Sequence, residues 1–139
     1  MNGNKNITVE TTVNAPIEKV WQCWNEPSHI TQWAFASDDW EAPHAENDLR
    51  EGGKSKIVMA AKDGSAKFDL IGTYTTVKEH ELIEYYMEDG RTVNIRFEST
   101  PEGVKVTETF EMEGENSEEL QRAGWSAILE NFRKHVESH

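Results

Sequence analysis

Glu108 is the anomaly in this sequence. In Val104-Lys105-Val106-Thr107-Glu108-Thr109-Phe110, the alternation of an extended strand turns Glu108 to the same side as Val104, Val106 and Phe110. An acid held among apolar neighbours loses hydration, so its charged form is disfavoured and its pKa rises. Such a carboxyl can act as a general acid or base, or anchor the polar end of a ligand inside a cavity. The commoner outcome is structural, a pairing with a hydroxyl, an arginine or water near the end of a sheet. Tyr85 and Ser55, on inward positions of other strands, are the candidate hydrogen-bonding partners.

Other reactive residue types form no recognisable constellation. His29, His44, His80, His135 and His139 are dispersed, and only His135 and His139 stand four apart, at what reads as a frayed chain end. Cys23 has no thiol partner and falls beside Val20 and Trp24 on a helical face, where a cysteine is expected to be a small buried side chain. A catalytic thiol needs a nearby histidine and a polarising environment, and the sequence shows neither. No Gly-x-Ser-x-Gly elbow, phosphate-binding loop or dinucleotide fingerprint occurs. Gly52-Gly53 precedes a strand rather than a helix and reads as a hinge, not a phosphate cradle. No metal, cofactor or catalytic residue is assigned.

The framework that positions these groups is a single domain over residues 1–139. A hydrophobic fraction of 36% and five tryptophans fit a packed globule. A net charge of −12 with a pI near 4.8 argues against nucleic acid or an anionic membrane surface as partner, since both require a basic face. One cysteine excludes an internal disulfide and suits a reducing compartment. With no basic-then-apolar leader before Ile7 and no apolar run of membrane-spanning length, the expectation is a cytoplasmic protein without membrane insertion.

Periodicity divides the chain into elements. Ile7, Val9, Thr11 and Val13 alternate as one face of a strand. Asn14 or Ala15 then caps a short helix from Pro16 to about Asn25, with Ile17, Val20, Trp21 and Trp24 at helical spacing. Pro27 ends it, and Ser28 caps a second short helix whose Ile30 and Trp33 point inward. From Ala34 to Gly53 periodicity fails, predicting a long irregular loop that is either a plain connector or, with Phe35 and Trp40 in it and Trp33 just before it, the cover of a site. Tight-turn signals at Asp63-Gly64, Asp89-Gly90 and Pro101-Glu102-Gly103 divide a meander of strands near 54–62, 66–77, 82–88, 91–99 and 104–112. Gly72, inside a strand, suggests a bulge or bend. A long helix from about Glu118 to Val136 carries Gln121, Trp125, Ile128, Leu129, Phe132 and Val136 on one stripe, which the dry face of the meander can cover.

The order and spacing of these segments resemble a known family. The matching features are the strand, Asn14-Ala15-Pro16-Ile17-Glu18-Lys19-Val20-Trp21, the second helix ending at Trp33, Gly52-Gly53, the meander, Gly72 and Gly124-Trp125-Ser126-Ala127-Ile128-Leu129-Glu130-Asn131-Phe132. The chain resembles, from about Ile7 to Val136, the AHSA-type bacterial proteins related to the C-terminal domain of the heat-shock protein 90 ATPase activator. These lie within the START-like superfamily, also called SRPBCC or Bet v 1-like. The stretches Ala36-Ser37-Asp38-Asp39-Trp40 and Ala45-Glu46-Asn47-Asp48-Leu49-Arg50 look like a subgroup signature.

The resemblance implies an α+β helix-grip fold, a curved antiparallel sheet of about six or seven strands wrapped around a long C-terminal helix, with two short helices after the first strand. It also implies a hydrophobic cavity between sheet and helix. The ligand-facing set expected there is Trp33 and Trp40, then Ile57, Met59, Phe68, Leu70, Tyr85, Met87, Ile95, Phe97, Val106, Glu108 and Phe110 from the sheet, and Trp125, Leu129 and Phe132 from the helix. The expected function is non-enzymatic binding of a lipid, polyketide or flavonoid-like molecule. The alternatives are a protein-interaction role resembling chaperone regulation, and a cyclase or hydrolase using Glu108 with Tyr85 as hydrogen-bond donor.

Overall fold

A computed structural model describes residues 5–138. The chain runs β1 (Asn6–Val13), α1 (Ile17–Asn25), α2 (Pro27–Trp33), β2 (Trp40–Asn47), β3 (Lys54–Ala61), β4 (Lys67–Lys78), β5 (Leu82–Met87), β6 (Thr92–Thr100), β7 (Gly103–Glu111) and α3 (Glu118–Glu137). One seven-stranded sheet has the order β1-β7-β6-β5-β4-β3-β2, antiparallel throughout. Consecutive strands from β2 to β7 are neighbours, and β1 closes the far side against β7. This is the helix-grip architecture, with the sheet curled toward α3.

Local chemistry explains most boundaries. The residue before a proline is driven out of the helical region, and Glu26 accordingly has φ −79° and ψ 128°, ending α1 at Asn25 and placing Pro27 in the first turn of α2. The cap of α2 is therefore Glu26 rather than Ser28. Likewise Pro16, not Asn14 or Ala15, stands at the start of α1, its carbonyl accepting from the Val20 amide at 3.1 Å. At α3 the Ser117 side chain accepts from the Leu120 amide, and Glu118 and Glu119 place negative charge at the positive end of the helix dipole.

The stretch from Ala34 to Gly53 is not one irregular loop. It contains β2, an edge strand whose register shifts between Glu41 and His44. The bulge at Ala42-Pro43 breaks the two-residue alternation on which the sequence reading relied, and Pro43 is tolerated because edge strands leave backbone donors without ladder partners. Gly72 is likewise no bulge. The shift in β4 falls between Tyr74 and Thr76, whereas a Cβ at Gly72 would lie 2.6 Å from the ring of Tyr85. Glycine is required there by the close approach of an aromatic from the next strand.

The core follows the predicted faces. Ile7, Val13, Ile83, Val93, Ile95, Val104, Val106 and Phe110 from the sheet are buried with Leu129, Phe132 and Val136 from α3. His135 is buried too, so the end of α3 is packed where the sequence suggested fraying. His139 lies outside the described residues. No helix among the described residues is long and apolar enough to cross a membrane.

Candidate ligand cavity

A cavity of about 340 Å³ lies between strands β3, β4, β5 and β7, the two short helices and the N-terminal half of α3. Of the ligand-facing set expected from the sequence, Trp33, Ile57, Met59, Phe68, Leu70, Tyr85, Met87, Glu108 and Trp125 line it. Trp40, Ile95, Phe97, Val106, Phe110, Leu129 and Phe132 do not. Each of the latter has an identifiable place. Phe110 lies flat against Trp125, ring centroids 3.7 Å apart and planes within 9°, so it backs the wall that Trp125 faces. Phe97 and Phe132 join Trp24 and Trp33 in a cluster of edge-to-face rings with centroids 4.8–5.7 Å apart. Ile95, Val106 and Leu129 are ordinary core.

Trp40 packs its ring against Phe68 at 5.8 Å, outside the lining. Phe68 itself is 50% exposed while lining the cavity, which therefore reaches the surface beside it.

Several lining residues were not anticipated. Trp24 and Ile30 come from the two short helices, and Ile128 from the edge of the α3 stripe. Their helical periodicity identifies them as inward-facing but does not separate core from cavity wall. Arg91, Glu113, Asn116 and Gln121 contribute a polar rim. Gln121 is buried, its side chain accepting from the Glu113 amide at 2.9 Å and donating to the carbonyls of Glu113 and Asn116 at 3.1 and 2.8 Å. One amide thus fastens the loop before α3 at the cavity end. Arg91 is held by Asp89, Nε to Oδ2 at 2.7 Å. Tyr74, also in the wall, donates to Asn47 Oδ1 at 2.6 Å, and Asn47 donates in turn to the carbonyl of Asn25 at 2.8 Å.

Two polar groups on the wall are uncommitted. Glu108 sits mid-strand opposite Val9 and Ile95, is 6% exposed, and receives no hydrogen bond from a described residue. Burial alone pushes its carboxyl up to about 8, so at neutral pH it is mainly a protonated donor. Tyr85 is raised well above the ordinary phenol value by burial first and then by Glu108 and Tyr74, against a smaller opposing effect of Arg91. Its hydroxyl remains protonated and has no described hydrogen-bond partner. Ser55, expected beside them, also lines the cavity. An apolar chamber with an acid and a phenol free to donate can hold a molecule that is mostly hydrocarbon or aromatic ring and carries an oxygen acceptor.

The expected dispersal of histidines fails at one place. His29 Nδ1 and His135 Nε2 lie 2.8 Å apart, and Cys23 is their neighbour. Residues 106 positions apart in sequence meet because α2 and the end of α3 pack together, a juxtaposition no local spacing signals.

Comparison with known proteins agrees with this architecture. A family model described as "Activator of Hsp90 ATPase homolog 1-like protein" matches residues 14–137. The solution structure of an AHSA1-like protein from Aeromonas hydrophila is 42% identical, with a TM-score of 0.90, covering 96% of this chain and 93% of that one. A protein from Cytophaga hutchinsonii, also solved in solution, is 50% identical with a TM-score of 0.83, over 96% and 92% of the two chains. A crystal structure from Chromobacterium violaceum shares the fold at 20% identity, with a TM-score of 0.86 over 96% and 98%. No curated protein matches the chain significantly. With its curled sheet, closing helix and a family match spanning nearly every described element, the chain belongs to the Activator of Hsp90 ATPase homolog 1-like family.

Proposed function

We propose that the protein binds a small, largely apolar molecule in the cavity beneath α3, with an oxygen acceptor of the ligand meeting Glu108 and Tyr85. The observation that carries this reading is a buried carboxyl and a partly buried phenol, neither with a described hydrogen-bond partner, on a mainly apolar wall. Leaving a buried polar group without a partner costs roughly 1–3 kcal/mol, and a ligand carbonyl or hydroxyl would recover part of that. A volume of about 340 Å³ suits a compact polyketide or flavonoid-like ring system better than a long-chain lipid. The test is an NMR titration of isotope-labelled protein with flavonoid-like ketones, sterols and fatty acids, following the Trp125 indole and the neighbours of Tyr85. Saturable shifts that weaken in Tyr85→Phe and Glu108→Gln are expected. If no compound perturbs these signals at high concentration, the reading fails.

The family's description supports a second reading, contact with a chaperone of the heat-shock protein 90 class. This reading predicts association with the purified chaperone and a changed ATPase rate. An unchanged rate without association at micromolar protein would remove it.

A further inference from the structure

Away from the cavity, three helices converge on a cluster of metal-ligating atoms. Cys23 comes from α1, His29 from α2 and His135 from α3. One ligand atom from each, the Cys23 sulfur and one ring nitrogen of each histidine, lies within 4.8 Å of the other two, and it is the one group of this kind among the described residues. We propose that Cys23, His29 and His135 form a binding site for a borderline-soft divalent cation, Zn²⁺ being the natural occupant.

The donor set argues the metal. One thiolate and two imidazoles suit zinc or copper and disfavour Mg²⁺ or Ca²⁺, which require hard oxygen ligands. Zinc–nitrogen and zinc–sulfur bonds of about 2.0–2.3 Å in a tetrahedron place donors about 3.3–3.8 Å apart. A sulfur at the 4.8 Å limit would have to close on the nitrogens by about 1 Å to meet that geometry. The two imidazole nitrogens, now 2.8 Å apart, would open by about half an ångström as the metal enters between them.

Cys23 is 2% and His135 7% exposed, whereas the His29 side chain is 24% exposed, leaving an approach from solvent on the His29 side. The carboxylate of Glu26 lies 3.9 Å from His29 Nε2, the nitrogen turned away from the cluster. At that distance the carboxylate is not hydrogen-bonded to the ring, and it would have to close by about 1 Å to hold the outer nitrogen's proton and support a ligating histidine.

The proton balance is simple. Without metal, the His29–His135 hydrogen bond holds one proton between the two rings. On binding, that proton moves to the outer nitrogen of its own ring, so both neutral imidazoles present lone pairs. The Cys23 thiol forms the metal–sulfur bond and releases its proton to solvent. Near neutral pH, one cation in therefore means one proton out. Because binding releases a proton, affinity falls as the solution becomes more acidic.

Cobalt tests the site directly. Full-length protein, freed of metal and reduced, is titrated with Co²⁺. The expected result is one tight equivalent, a near-ultraviolet thiolate-to-cobalt charge-transfer band, visible bands of tetrahedral intensity, and displacement by Zn²⁺. Cys23→Ser removes the charge-transfer band. His29→Gln, at a partly exposed position where folding is retained, weakens binding about tenfold or more. Zn²⁺ also raises the melting temperature of the unmodified protein but not of His29→Gln. Absence of the thiolate band in folded protein, or equal affinity in His29→Gln, overturns the proposal.

Discussion

The two halves of α3 face different interiors. Its C-terminal half sends Leu129, Phe132 and Val136 into a filled core, where Phe132 meets the rings of Trp24 and Trp33, each with centroids 4.8 Å away. Its N-terminal half presents Trp125, Ile128 and Gln121 to the cavity that Glu108 and Tyr85 also line. Both halves continue one apolar stripe, and both lie over the same sheet. The difference lies in what stands opposite. Around the C-terminal half the rings of Trp24 and Trp33 pack on Phe132 and, with Ile30, form the inner end of the cavity, whereas the N-terminal half faces the open space beside the loop that Gln121 fastens. Aromatic content thus sets stability at one end and leaves space at the other.

Truncation should separate the two ends most sharply. Phe132→Ala is expected to destabilise by about 3–5 kcal/mol, read by urea unfolding, because a fully buried ring is replaced by a void. The same change at Trp125 should cost less, since one side of that ring already faces the cavity. Equal losses would erase the distinction between core and chamber.

Acidity provides the next test. Glu108 keeps its proton to about pH 8 in the folded chain against an ordinary value of 4.5, so between those values the folded state binds more protons than the unfolded one. Stability should therefore fall by a few kcal/mol as pH rises through this window and level off above it. Glu108→Gln should flatten that slope and be the more stable protein at alkaline pH. A wild-type slope that is already flat would mean that the carboxyl is not held in a dry site.

Smaller effects sharpen the picture of the walls. Gly72→Ala forces the Tyr85 ring to move, and should cost about 1–3 kcal/mol along with ligand affinity. Affinity unaffected by that change would place the ligand away from Tyr85. Ser117→Ala removes the cap of α3 and should cost about 1 kcal/mol, with faster amide exchange confined to the first helical turn beside the cavity. Exchange that spreads to Leu129 would show that the two halves of the helix do not behave separately.

The same contrast explains what could be read from sequence. Strict alternation in β1 and β3–β7, and helical spacing along α3, specify inward faces because each is a local consequence of backbone geometry. β2 escaped because Pro43 and its bulge interrupt that alternation. Whether an inward residue packs against protein or against empty space depends on the partner across the interior, which local periodicity does not encode. Leu129 and Phe132 were thus grouped with Trp125 although only Trp125 lines the cavity. Glu108 was legible as an inward acid, whereas its freedom from partners became visible only with the sheet assembled. Cys23, His29 and His135 left no local trace, since three separate helices bring them together.

Pro43 has a consequence beyond concealing a strand. Sheet edges invite neighbouring molecules to add a strand, and β2 is an outer edge of this sheet. An imide nitrogen has no hydrogen to give, and the displaced register at Ala42-Pro43 spoils the spacing that an incoming strand would have to match. The edge is thereby blunted against fibrous growth, a useful property for a chain whose curled sheet also opens beside an exposed Phe68.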